Sequence, residues 1–64
     1  MCLSTVYRNE QKPENIAMTN VKRIDCTQDM VILTDLLERQ MAISGVLLRA
    51  DLVEGTVVVR ELSE

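Results

Sequence analysis

The apolar residues of this chain fall in runs no longer than a strand, the longest being MVIL at residues 30–33 and VLL at 46–48, with VVV following at 57–59. Turn signals recur every 8 to 12 residues between such segments. That rhythm predicts an all-β fold of five or six short strands, a small SH3-like or Sm-like barrel. With 64 residues there is room for one domain, spanning 1–64, and none of the runs approaches the roughly 18 apolar residues a bilayer span needs. No membrane segment is expected.

Residues 2–8 (CLSTVYR) are rich in strand-favouring Thr, Val and Tyr, and the polar run 9–14 (NEQKPE) carries Pro13, which cannot sit in a central strand. This is the first strand and a loop. Residues 15–20 (NIAMTN) fit a short strand or a single helical turn equally well. Residues 21–27 (VKRIDCT) alternate, placing Ile24 and Cys26 on one face and Arg23 and Asp25 on the other; Gln28 and Asp29 turn the chain into 30–33, which makes a hairpin. Residues 34–39 (TDLLER) are too short for a stable helix and read as a wide connection. A strand over 40–44 is expected to stop at Gly45, one over 46–52 at Gly55, and 56–62 (TVVVREL) closes the fold.

Composition narrows the chemistry. There is no His, which removes the commonest general base and the commonest metal ligand, and the Ser and Thr hydroxyls are left without the partner a hydrolytic triad uses. The two glycines, ten residues apart, form no phosphate-cradling loop. The carboxylate pairs Asp51 with Glu54 and Asp35 with Glu38 are expected on a solvated surface. These features point away from an enzyme. A net charge of −3 and a single aromatic, Tyr7, count against nucleic acid, because phosphate contacts need clustered cations and single strands need stacking platforms. Arg8, Lys22, Arg23, Arg39, Arg49 and Arg60 are interleaved with acids, so only folding could gather them into a basic face.

Two cysteines in a chain with a polar start suggest a reduced, cytoplasmic protein rather than a disulfide scaffold. Cys26, beside Ile24, is expected in the core as a small hydrophobe. Cys2 differs because it adjoins the chain's α-amino group. Without Met1, its amine and thiolate form a five-membered chelate; with Met1, the terminal amine, the deprotonated Cys2 amide and the thiolate bind in sequence. Either N,S set suits square-planar Ni(II) or Cu(II). A strand-starting cysteine with a purely structural role is the alternative. Because one such set leaves a square plane incomplete, and because a small aliphatic barrel with exposed strand edges has little stability in reserve, a homodimer is also expected.

The opening MCLSTVY (residues 1–7) resembles the start of the CooT family of small proteins, in which Cys at the second position opens the first strand. The strand pair over 21–33, the segment Leu36-Leu37-Glu38, the passage Ile43-Ser44-Gly45 into 46–52, and the closing strand over 57–62 are similar by pattern. The resemblance implies a homodimeric small β-barrel that binds nickel through Cys2, linked to nickel delivery for carbon monoxide dehydrogenase. Relatives have also been described as RNA-binding on fold analogy, which is weak warrant. Cys26 has no counterpart with a family function.

Overall fold

The structure is a computed structural model and describes residues 3–62. Five strands, β1 (Ser4–Arg8), β2 (Ile16–Cys26), β3 (Met30–Asp35), β4 (Gln40–Asp51) and β5 (Thr56–Glu61), close into a barrel in the order β1-β2-β3-β4-β5. Sequential neighbours pair antiparallel, and β1 closes the ring by running parallel to β5, with Thr5 opposite Thr56 and Arg8 opposite Val59. The only helical piece among the described residues is a 3-10 turn at Pro13–Asn15, where Pro supplies the fixed φ of a first helical position. The expected all-β barrel is thus present, with five strands rather than six.

A barrel this small needs long strands that serve two sheets. Of residues 15–20, ambiguous in the sequence, Asn15 ends the 3-10 turn and 16–20 form the first half of β2, which runs on through Asn20, whose φ of 55° bends it. Asn is among the few side chains that tolerate this left-handed region. The first half of β2 pairs with β1 as far as Ser4 opposite Val21, and the second half pairs with β3 from Val21 opposite Asp35 to Cys26 opposite Val31. β4 divides its partners in the same way: Gln40 to Ser44 face β3, and Gly45 to Asp51 face β5. The extra residue Leu48 makes a bulge there, between the pairs Leu47–Val59 and Arg49–Val58.

The core is aliphatic, as composition required: Val6, Val21, Val31, Leu33, Ile43, Val57 and Val59 are buried together, with Ala17, Met18, Ile24 and Met41 packed around them. Val57 and Val59 point inward because alternate residues of a strand share a face. Val58 points outward into a shallow hollow lined by Asn9, Gln11, Leu48 and Arg49. At the end of the barrel where β1 and β5 finish, Arg8 sits between Glu61 and the Met41 sulfur.

Four local expectations are corrected. Gly45 does not end a strand; it lies inside β4, where a Cβ would stand 2.0 Å from the Arg60 carbonyl oxygen, so the residue is needed for close backbone approach. The connection after β3 is a tight turn rather than a wide one, because β3 continues to Asp35 and β4 starts at Gln40. Cys26 is exposed, since β2 has left the core by its last residues. Asp35 is buried, at 2% exposure, and not part of a solvated pair. Gly55 does occupy its expected turn, with φ +76°, and Gly55→Ala should cost about 1–2 kcal/mol in chemical denaturation, the penalty of a left-handed L-residue.

Candidate metal centre

Cys2, the residue singled out as a metal ligand, lies outside the described residues, so the site is defined from its first described neighbour, Leu3. The Leu3 carbonyl oxygen sits 3.3 Å from where a Cβ on Gly55 would be, and the Thr5 amide donates to the Gly55 carbonyl at 2.8 Å. Next along, Ser4 pairs with Val21 of β2 and Thr5 with Thr56 of β5. The beginning of β1 is therefore paired on both sides, and residues 3–5 are braced against the β4–β5 turn.

That turn is built by one side chain. The Asp51 carboxylate accepts from the Val53 amide at 3.2 Å and the Glu54 amide at 3.0 Å, while its carbonyl accepts from the Gly55 amide at 2.8 Å. Asp51 is thus a turn former, which separates it in role from the exposed Glu54. The tip carries Leu52 and Val53, 74% and 89% exposed, the two most exposed large apolar side chains among the described residues. Beside it runs a groove of about 260 Å³ lined by residues of four strands and the turn: Ser4, Val21, Lys22, Arg23, Ile24, Ala50, Leu52 and Val57. It opens where the second half of β2 and the second half of β4 each lack a partner on the facing side.

Cys26 is not brought to this place. Val21 is the β2 residue level with Ser4, and five further residues at about 3.3 Å each carry Cys26 roughly 16 Å along the strand. Among the described residues no group of three or more Cys, Asp or Glu side chains could hold a metal ion. The cations do not gather into a basic face either. Lys22 pairs with Glu38, Arg23 with Asp25 at 3.3 Å, Lys12 with Glu10 at 2.9 Å and Arg39 with Asp35 at 2.7 Å, while Arg49 donates to the Gln11 side chain at 2.6 Å. Tyr7 is half-buried in β1 between Ile16 and Val58.

Sequence reasoning missed Asp35. Its carboxylate accepts from the Leu37 and Arg39 amides, each at 2.9 Å, and from the Arg39 side chain at 2.7 Å, so it clamps the β3–β4 turn. Burial pushes its pKa up, but the Arg39 amide and guanidinium, the Leu37 amide and the Arg39 charge together outweigh burial and hold it below the ordinary carboxylate value of 3.8. A folded pKa below the unfolded one stabilises the fold above the unfolded pKa, and that stability is lost as pH falls through the folded value. Asp35→Asn should therefore be less stable than wild type at neutral pH, and the gap should narrow below about pH 4. Urea midpoints measured across pH would test this; a gap unchanged at pH 2 would refute it. The signal available in the sequence was Arg four residues after Asp across a short turn.

The model of the family described as CO dehydrogenase accessory protein CooT matches residues 1–60, from the first residue through nearly all of β5. The chain belongs to the CooT family. A crystal structure of a candidate CooT from Carboxydothermus hydrogenoformans superposes with a TM-score of 0.81 over 97% of this chain and 100% of that one, at 14% identity. At that identity the likeness speaks for the fold alone, and the fold shared is the small closed barrel. No curated protein matches this CooT chain. Among its described residues no helix is long and apolar enough to cross a membrane.

Proposed function

We propose that this CooT protein is a cytoplasmic, homodimeric, nickel-binding accessory protein without catalysis of its own, which delivers or stores nickel for a nickel enzyme such as carbon monoxide dehydrogenase. Nickel is its cargo. The observation that carries the reading is a family match that begins at residue 1 and so includes Cys2. Support comes from the pairing of Ser4 with β2 and Thr5 with β5, which fixes the backbone within three residues of Cys2 in sequence. The Cys2 thiolate and adjacent backbone nitrogens provide the soft and strong-field donors that square-planar Ni(II) takes. Two copies related by a two-fold axis complete the plane with two sulfurs and two nitrogens. Barrel closure leaves the second halves of β2 and β4 each with one unpaired edge; these, small size and the exposed Leu52 and Val53 are the motives for dimerisation.

The deciding experiment is a Ni(II) titration of the apo protein followed by thiolate-to-metal charge-transfer absorption, with Zn(II), Co(II) and Cu(I) as competitors. Saturable binding that depends on Cys2 is the expected result. An RNA-binding role would instead show a tight, salt-dependent complex with a defined RNA. The ion-paired cations predict no such complex in a gel-shift series at increasing salt.

A further inference from the structure

Arg8, Lys12, Lys22, Arg23 and Arg39 each lie within ion-pair distance of a carboxylate; among the described residues Arg49 and Arg60 do not. These two share a face. Arg49 of β4 stands opposite Val58 of β5, with which it lines the shallow hollow, and Arg60 follows Val58 by two residues, the interval at which strand side chains return to the same side. Both arginines are exposed. Val46, opposite Arg60, and Leu48, at the bulge, are exposed large apolar side chains beside them.

We propose that this outer face of β4 and β5 docks an extended acidic segment of a partner protein, with carboxylates on alternate residues reaching Arg49 and Arg60. Nickel is not needed for this contact. The Arg49 guanidinium is held in place without being neutralised, because it donates at 2.6 Å to the side-chain oxygen of Gln11, an uncharged acceptor across the hollow. A guanidinium carries five N–H donors, so that bond leaves others for a carboxylate. Spacing fits as well. The ranks Arg49–Val58 and Val46–Arg60 are two residues apart along β5, roughly 6.7 Å, and an extended peptide repeats its carboxylates at i and i+2 over the same interval. Between the cations lie Val58, Val46 and Leu48, which favour Glu over Asp because its extra methylene can rest on them. A polyphosphate fits less well. Two cations on a chain of net charge −3 are few for a phosphate backbone, and Tyr7, the neighbour of Val58 on β1, is half-buried and a poor stacking platform.

The test is a nuclear magnetic resonance titration of the isotope-labelled full chain with a capped peptide that alternates Glu with Val. Saturable shifts confined to the amides of residues 46–49 and 58–60 are expected, weakening as salt is raised. Arg49→Gln and Arg60→Gln should each weaken binding about fivefold, and together more than either alone. Arg23→Gln, whose cation is already paired with Asp25, should bind as wild type. Equal binding of a peptide that alternates Gln with Val, shifts centred elsewhere, or no loss in the double variant overturns the proposal. So does tighter binding of an oligothymidylate, which would make the face a nucleic-acid site. Cys2→Ser should bind the peptide unchanged while losing nickel, so a failure of either reading leaves the other standing.

Discussion

Replacing Cys2 by Ser is expected to abolish specific nickel binding, because it removes the only soft anionic donor at the chain start and leaves a hydroxyl that stays protonated near neutral pH. Charge-transfer absorption should vanish at every Ni(II) concentration that saturates wild type. An N-terminal extension should also abolish or severely weaken binding for a different reason: it keeps the thiol but converts the terminal amine into an amide, a poor donor until deprotonated. If the extended form binds as well as wild type, the thiolate stays in the site and the terminal amine leaves it. Cys26→Ser should spare the metal, and because Cys26 is exposed it should change stability by no more than about 0.5 kcal/mol. A free thiol titrates near about pH 8.5 and must lose its proton to ligate, so apparent affinity should fall as pH is lowered. Wild-type affinity in Cys2→Ser would refute the nickel site.

Gly45→Ala should be the most damaging single-methyl change in the barrel. The added Cβ would stand 2.0 Å from the Arg60 carbonyl oxygen, 3.0 Å from its carbon and 3.1 Å from the Glu61 Cα, all backbone atoms. No side chain can rotate away, so β5 must shift off β4 at the point where Gly45 opposes Glu61. Overpacking of this kind costs about 3 kcal/mol. A domain of this size has only roughly 3–10 kcal/mol in hand, so the variant should lose a large share of it. The measure is the urea midpoint with the slope checked for constancy. A midpoint within error of wild type would mean that the strands separate more easily here than their pairing implies.

The sequence offers Cys2 as the candidate ligand, and that residue lies outside those the structure describes. Cys2 stood out because thiolate and amine chemistry coincide at a chain start, which needs no fold to recognise. Asp35 did not stand out, since whether a carboxylate beside a turn is solvated or clamped depends on how closely the turn folds back, and the six residues TDLLER are compatible with both. Cys26 was misjudged for a related reason. Alternation placed it on the face of Ile24, but a strand that bends at Asn20 and outruns its neighbour carries its last residues out of the core.

By itself, the sequence determined the class of fold. Strand-sized apolar runs, β-branched residues and turn residues at short intervals act through neighbouring dihedrals and side-chain alternation, and these are local effects. It also determined the aliphatic core and the turn at Gly55. Tertiary structure alone decided where the strands pair. The extension of β2 through residues 16–20, the burial of Gly45 against β5 and the groove beside the β4–β5 turn all depend on closing one ring of five strands. Closure joins β1 to β5 across about fifty residues of chain, Val6 to Val57 among them. Contacts over that separation leave no period in the sequence, because each strand satisfies its own alternation whichever partner lies beside it.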